Sequence, residues 1–130
     1  MKRLIIDTNI FARLIVGDVE NQKLKAEKIW RDIENGVCTA EVSVLVIDEL
    51  IWVLEKYYSI TRNEYLPKLR ALLGLRGVNI MEVKKELFLK IMVEFAKSKL
   101  DFTDLYLLYI KKTDQKIISF DKKLLTYHAN

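Results

Sequence analysis

Two short apolar runs, one near each end of the chain, stop on an aspartate. Arg3 to Ile6 is rich in β-branched residues, long enough for a buried strand and too short for a helix, and it ends at Asp7. Lys116-Ile-Ile-Ser-Phe-Asp121 repeats the pattern. In parallel α/β sheets ligands bind outside the carboxyl ends of the strands, so a carboxylate placed right after a buried strand stands where chemistry takes place. Two such strands predict one shared acidic pocket.

The chain between them alternates helical and strand signals. Ile10 to Val16 reads as a short helix stopped by Gly17, and Leu24, Ala26, Ile29, Trp30 and Ile33 fall near the helical period before Asn35-Gly36 ends that segment. Val37 to Thr39 reads as a second strand, with Thr39 capping a long helix from Ala40 to Tyr58. This helix is apolar nearly all round, which predicts burial and makes its acids, Asp48 and Glu49, costly unless they are paired or bind a metal. Thr61-x-x-Glu64 is a capping box opening a helix toward Leu73, and Pro67 is expected to bend or split it. A strand over 78–81, a helix over 83–97, a helix begun at Asp104 behind Asp101 or Thr103 as cap, and a last helical turn from Asp121 complete the pass. The alternation predicts a single α/β domain over residues 1–130, with a central, mainly parallel sheet of four to five strands and helices on both faces.

Composition removes several classes of function. The chain has 130 residues, enough for one domain, and a 51% hydrophobic share supports a sizeable core. A single cysteine, Cys38, allows no internal disulfide, and with no leader-like opening segment an intracellular, cytoplasmic protein is expected. No apolar stretch approaches the roughly 20 residues of a membrane-spanning helix, so no membrane role is expected. The net charge of +4 is mild, but lysines cluster (Lys23, Lys25 and Lys28; Lys84 and Lys85; Lys111 and Lys112; Lys122 and Lys123) while the acids of interest lie among apolar residues. A basic exterior around an acidic pocket suits a nucleic acid held by its phosphates and a metal held inside; solvated helix faces are the bland alternative.

Asp7, Asp104 and Asp121, with Asp48 or Glu49 as a fourth, are the candidate acids. Each alone reads equally as a turn former or helix cap. Together they would repel one another without a cation, and hard divalent ions prefer carboxylate oxygens. Cys38 and His128 are single, so no zinc site is indicated, and His128 reads as a tail residue. Glycine-rich phosphate loops and a Ser/His/Asp set are absent. Metal-assisted chemistry is what the residues leave.

Asp7-Thr-Asn9 after the first strand, a glutamate on the apolar third helix, Asp-Phe-Thr-Asp104 opening a late helix and Ser-Phe-Asp121 after the last strand resemble, in order and spacing, a PIN domain. The resemblance covers essentially the whole chain. The compact length and the continuation Asn9-Ile-Phe-Ala-Arg-Leu-Ile-Val-Gly-Asp18 are most similar to the VapC toxins of prokaryotic toxin–antitoxin pairs. The resemblance implies a three-layer α/β/α fold, with Asp7, Glu49, Asp104 and Asp121 holding Mg²⁺ or Mn²⁺ and carrying catalysis. Thr8, Asn9, Ser119 and Asp101 would supply supporting contacts. It also implies endoribonuclease activity on an RNA substrate, a cognate antitoxin and a homodimer. Leu105 departs from the small residue, commonly Ala, that the family carries after this aspartate. Arg13 and the lysine clusters are candidates for the RNA backbone. Three other readings compete: a stand-alone RNA-processing nuclease, a haloacid-dehalogenase-like Mg²⁺ phosphatase with Asp7 as nucleophile, and a non-catalytic binding module. The second usually has Asp-x-Asp where this chain has Asp7-Thr-Asn9; the third would use the aromatic surface around Trp52, Tyr57 and Tyr58.

Overall fold

A computed structural model describes residues 1–127, so His128 lies outside the described residues. Three parallel strands, β1 (Lys2–Ile5), β2 (Cys38–Val42) and β3 (Val78–Ile80), pair in the order β1-β2-β3. The register sets Leu4 beside Ala40 and Ala40 beside Val78, so one sheet face is apolar and buried. Around it run α1 (Thr8–Ile15), α2 (Glu20–Glu34), α3 (Val44–Trp52), α4 (Arg62–Leu73), α5 (Lys85–Lys97), α6 (Phe102–Ile110) and α7 (Lys122–Thr126). Phe11, Ile47, Leu50, Tyr65, Phe88 and Phe95 are fully buried in one continuous core. Among the described residues no helix is long and apolar enough to cross a membrane.

Several expectations are corrected. The sheet has three strands rather than four to five. Lys116–Phe120 does not join it: Ile118 is 84% exposed, and Phe120 is fully exposed. Local polar bonds turn this segment instead, with Gln115 accepting from the Lys112 amide (2.8 Å) and Ser119 Oγ accepting from the Asp121 amide (2.9 Å). The opposite sheet face, bearing Arg3, Ile5, Glu41 and Asn79, opens into a cavity of about 580 Å³ lined by strand residues and Met81, with no helical residue. Over this stretch helices cover one face of the sheet rather than two.

The third helix also starts later than its sequence suggests. Thr39 to Val42 continues β2, and the cap is Ser43, whose Oγ accepts from the Leu45 amide (3.2 Å). A run such as Ala40-Glu-Val42 is compatible with either a strand or a helix, and pairing with both β1 and β3 decides it. The helix then loosens into a π-helical turn, Val53–Tyr57. Its outer side is exposed: Leu45 by 77% and Trp52 by 61%, with Asp48 and Glu49 exposed too. The cost of burying those two acids therefore does not arise. Finally, α4 runs unbroken through Pro67; the Thr61–Glu64 capping box fixes its start, and buried Tyr65, Leu66, Leu69 and Leu73 hold it to the core.

Candidate active site

Of the acids expected to converge, Asp7, Asp104 and Asp121 lie at helix starts, and Glu49 lies within α3. Asp7 follows β1 and is the N-cap residue of α1, but its carboxylate makes no capping hydrogen bond. Asp101 precedes α6 in the same way, again with no side-chain cap. Asp121 does cap: Oδ1 accepts from the Lys123 amide (2.9 Å) at the start of α7. A capping aspartate with a partner is adequately explained by local structure; one without a partner is not. Asp7 and Asp101 are of the second kind.

Asp104, one turn into α6, sits in the field of its neighbours. Partial burial pushes its carboxyl above the ordinary range, and the charges of Asp101 and Asp121 push it further the same way. The start of α6 and the cap of α7 thus bring three of the sequence-predicted acids within electrostatic reach of one another. Asp48 joins their edge, because Thr103 Oγ1 donates to its Oδ1 at 3.1 Å and ties α3 to α6. Glu49 is exposed on α3 and has no side-chain hydrogen bond or ion pair among the described residues, and Thr8 is buried beside an exposed Asn9. Ser119 supports Asp121 through the backbone bond already described. Among the described residues no three Asp, Glu, His or Cys side chains come close enough to share one metal ion.

Arg62 and Glu82 carried no sequence signal, and Thr103, expected as a helix cap, bonds Asp48 instead. Arg62 donates to the carbonyls of Phe95 (3.1 Å), Ser98 (2.8 Å) and Leu100 (3.3 Å), and its guanidinium lies over the Phe95 ring at 3.7 Å. It neutralises the carbonyl end of α5 and fixes the link that delivers Asp101 and Asp104. Glu82 follows β3 and accepts from the Val44 amide (2.7 Å) and from Ser43 Oγ, so this acid is a helix cap supplied from another element. Partners of these kinds are backbone groups or residues far along the chain, and neither leaves a local pattern. Arg13, by contrast, is a structural residue: it bonds Gln22 (2.7 Å), Asp18 (3.1 Å) and Tyr58 (3.3 Å), joining α1 to the chain on either side of it in space.

What the arrangement defines is an α/β protein with carboxylates gathered at helix starts beyond a parallel sheet. The PIN domain family model matches residues 4–129, and the chain belongs to that family. No curated protein and no solved structure matches it. PIN domains are generally nucleases, hydrolases acting on RNA, and PIN nucleases generally use divalent metal ions.

The donors here fit such an ion by type. They are carboxylate oxygens, and a Mg²⁺ ion keeps most of its waters while taking one or two carboxylates together with substrate phosphate. The mutual repulsion felt at Asp104 is the electrostatic condition that a cation relieves.

Proposed function

We propose that the protein is a metal-dependent endoribonuclease that hydrolyses RNA phosphodiesters with Mg²⁺ or Mn²⁺, using Asp7, Glu49, Asp104 and Asp121. The observation that carries the reading is the grouping of Asp101, Asp104 and Asp121, whose charges, with partial burial, raise the Asp104 carboxyl, and among the described residues none of the three is in an ion pair. Asp104 and Asp121 would hold the ion, with Asp7 and Glu49 approaching from β1 and α3. Asp101 would sit behind Asp104 as a hydrogen-bond acceptor for bound water, while Ser119 and Thr8 fix the local backbone. When bound, the ion supplies an acidified water and neutralises charge developing on the phosphate. Orienting that water and accepting its proton falls to the carboxylates themselves.

Within the family, the compact length and the Asn9 to Asp18 sequence favour the toxin of a VapBC-type pair, working in the cytoplasm as a homodimer and held in check by an antitoxin protein over the acidic pocket. The test is cleavage of a mixed structured and single-stranded RNA pool in Mn²⁺, beside EDTA and the Asp7→Asn variant. Metal-dependent cleavage that falls by roughly 10²- to 10³-fold in the variant is expected. Cleavage unchanged by EDTA or by Asp7→Asn would refute the proposed chemistry.

A further inference from the structure

A second cavity, of about 550 Å³, opens between the end of α5 and α7. Lys97, Lys99 and Lys123 line it, and Ser98 and Thr126 add hydroxyls. All three lysines are exposed, and among the described residues none is in an ion pair or donates a side-chain hydrogen bond. The one carboxylate in its wall, that of Glu94, is buried and accepts from the Tyr127 hydroxyl. Nearly all the exposed charge facing this groove is therefore positive.

Its position matters as much as its charge. Lys99 precedes Asp101 by two residues, and Lys123 follows Asp121 by two. The groove is thus lined from the two chain segments that carry Asp101 and Asp121. Arg62 holds the Ser98 and Leu100 carbonyls, and Ser98 Oγ accepts from the Leu100 amide (2.8 Å), so the turn that carries Lys97 and Lys99 is fixed. A row of cations leading into a set of carboxylates is the electrostatic outline of a polyanionic chain bound along its length, with one phosphate at the acids and the next ones on the lysines. An acidic peptide satisfies the lysines equally well but meets only repulsion at Asp101, Asp104 and Asp121, whereas a phosphodiester there shares the cation.

We propose that Lys97, Lys99 and Lys123 form the backbone-binding track for single-stranded RNA on one side of the scissile phosphate. The inference rests on the nuclease reading and names the path of its substrate. These are positioning residues, and they set register without reading sequence.

The experiment is equilibrium binding of a labelled single-stranded RNA of about 12 nucleotides in EDTA, followed as a function of salt. The proteins compared are wild type, Lys97→Gln/Lys99→Gln/Lys123→Gln, the three corresponding Lys→Arg changes, and a remote triple of exposed cations, Lys68→Gln/Arg70→Gln/Arg76→Gln, with Mn²⁺-dependent cleavage measured in parallel. Single-strand binding loses about 0.7 of a unit of salt slope per phosphate contact, so the groove triple is expected to flatten the log–log slope by about 2 and the Lys→Arg triple to restore it. The remote triple should stay close to wild type. Equal flattening in the groove and remote triples, with wild-type cleavage intact, overturns the track and leaves the nuclease reading standing. Absence of both RNA binding and cleavage in wild type overturns both. A groove triple that binds RNA normally but loses binding to an acidic peptide assigns the groove to protein and overturns the proposal.

Discussion

Glu41, buried, and Asp104, half-buried, are carboxylates of one small domain, and their surroundings act on them in opposite directions. Glu41, in the middle of β2, accepts from Asn79 Nδ2 (2.9 Å) and Arg3 Nε (2.8 Å). These hydrogen bonds, that from Asn79 foremost, hold its carboxyl below the ordinary range. Asp104 has two like charges in place of donors, and partial burial and those charges hold it above the range. The same contrast separates Glu82, which caps α3 with both oxygens engaged, from Asp7 and Asp101, which occupy cap positions without capping. Glu41 and Glu82, with both oxygens engaged, contribute to the fold, and Asp104, left among other acids, is available for a cation.

The largest expected effect breaks the contrast from the outside. Arg62→Ala removes three bonds to backbone carbonyls and a stacked cation, and hydrogen bonds to a charged group contribute about 1.5–3 kcal/mol, so the domain should lose roughly 2–3 kcal/mol in denaturant titration. Cleavage should fall as well, because the link before Asp101 loses its anchor. A variant of wild-type stability would show that the turn holds itself.

Glu41→Gln sharpens the structural side. It should cost about 1 kcal/mol at neutral pH. Because folding lowers the Glu41 carboxyl, its contribution is fully present above the unfolded value near 4.5 and is lost as pH falls through the folded one. The stability difference between wild type and Glu41→Gln, followed by thermal unfolding from pH 7 to pH 3, should therefore shrink toward acid. A difference independent of pH would contradict the assigned hydrogen bonds.

Asp104→Asn gives the smallest shift and the opposite sign. Folding raises this carboxyl, so the native state favours its protonated form: stability is highest below the unfolded value and declines as pH rises through the folded one. Without metal, Asp104→Asn should be more stable than wild type at pH 7 by about 0.5 kcal/mol, a modest figure because the site is partly solvated, and the advantage should vanish in acid. A destabilised variant at neutral pH would mean that the carboxylate has an unrecognised donor.

Much of this contrast was legible from sequence, for identifiable reasons. Asp7, Asp104 and Asp121 stand out because strand ends and helix starts are local patterns, and those three positions are helix starts in the structure. The capping box at Thr61 and Glu64 and the left-handed Gly17 and Gly36 are equally local. What sequence concealed depends on distant partners. Thr39 is as plausible a cap as Ser43 until β2 is seen to pair on both sides. The acids of α3 look buried until the outer side of that helix proves open to solvent. Lys116–Phe120 carries a strand's composition, yet pairing requires a partner edge, and the described residues give it turns and caps instead. Arg62 could not be identified at all, since a carbonyl acceptor leaves no mark in the side-chain sequence.

The central claim is that Asp104 and its neighbouring acids at the start of α6 hold a divalent cation and that Glu41, with both oxygens engaged in the sheet, does not. Direct Mn²⁺ binding, measured from the free-ion electron paramagnetic resonance signal for wild type, Asp104→Asn and Glu41→Gln, tests it most directly. The account predicts saturable binding in wild type, retained in Glu41→Gln and lost in Asp104→Asn. Binding that survives Asp104→Asn, or that disappears equally in both variants, would contradict it.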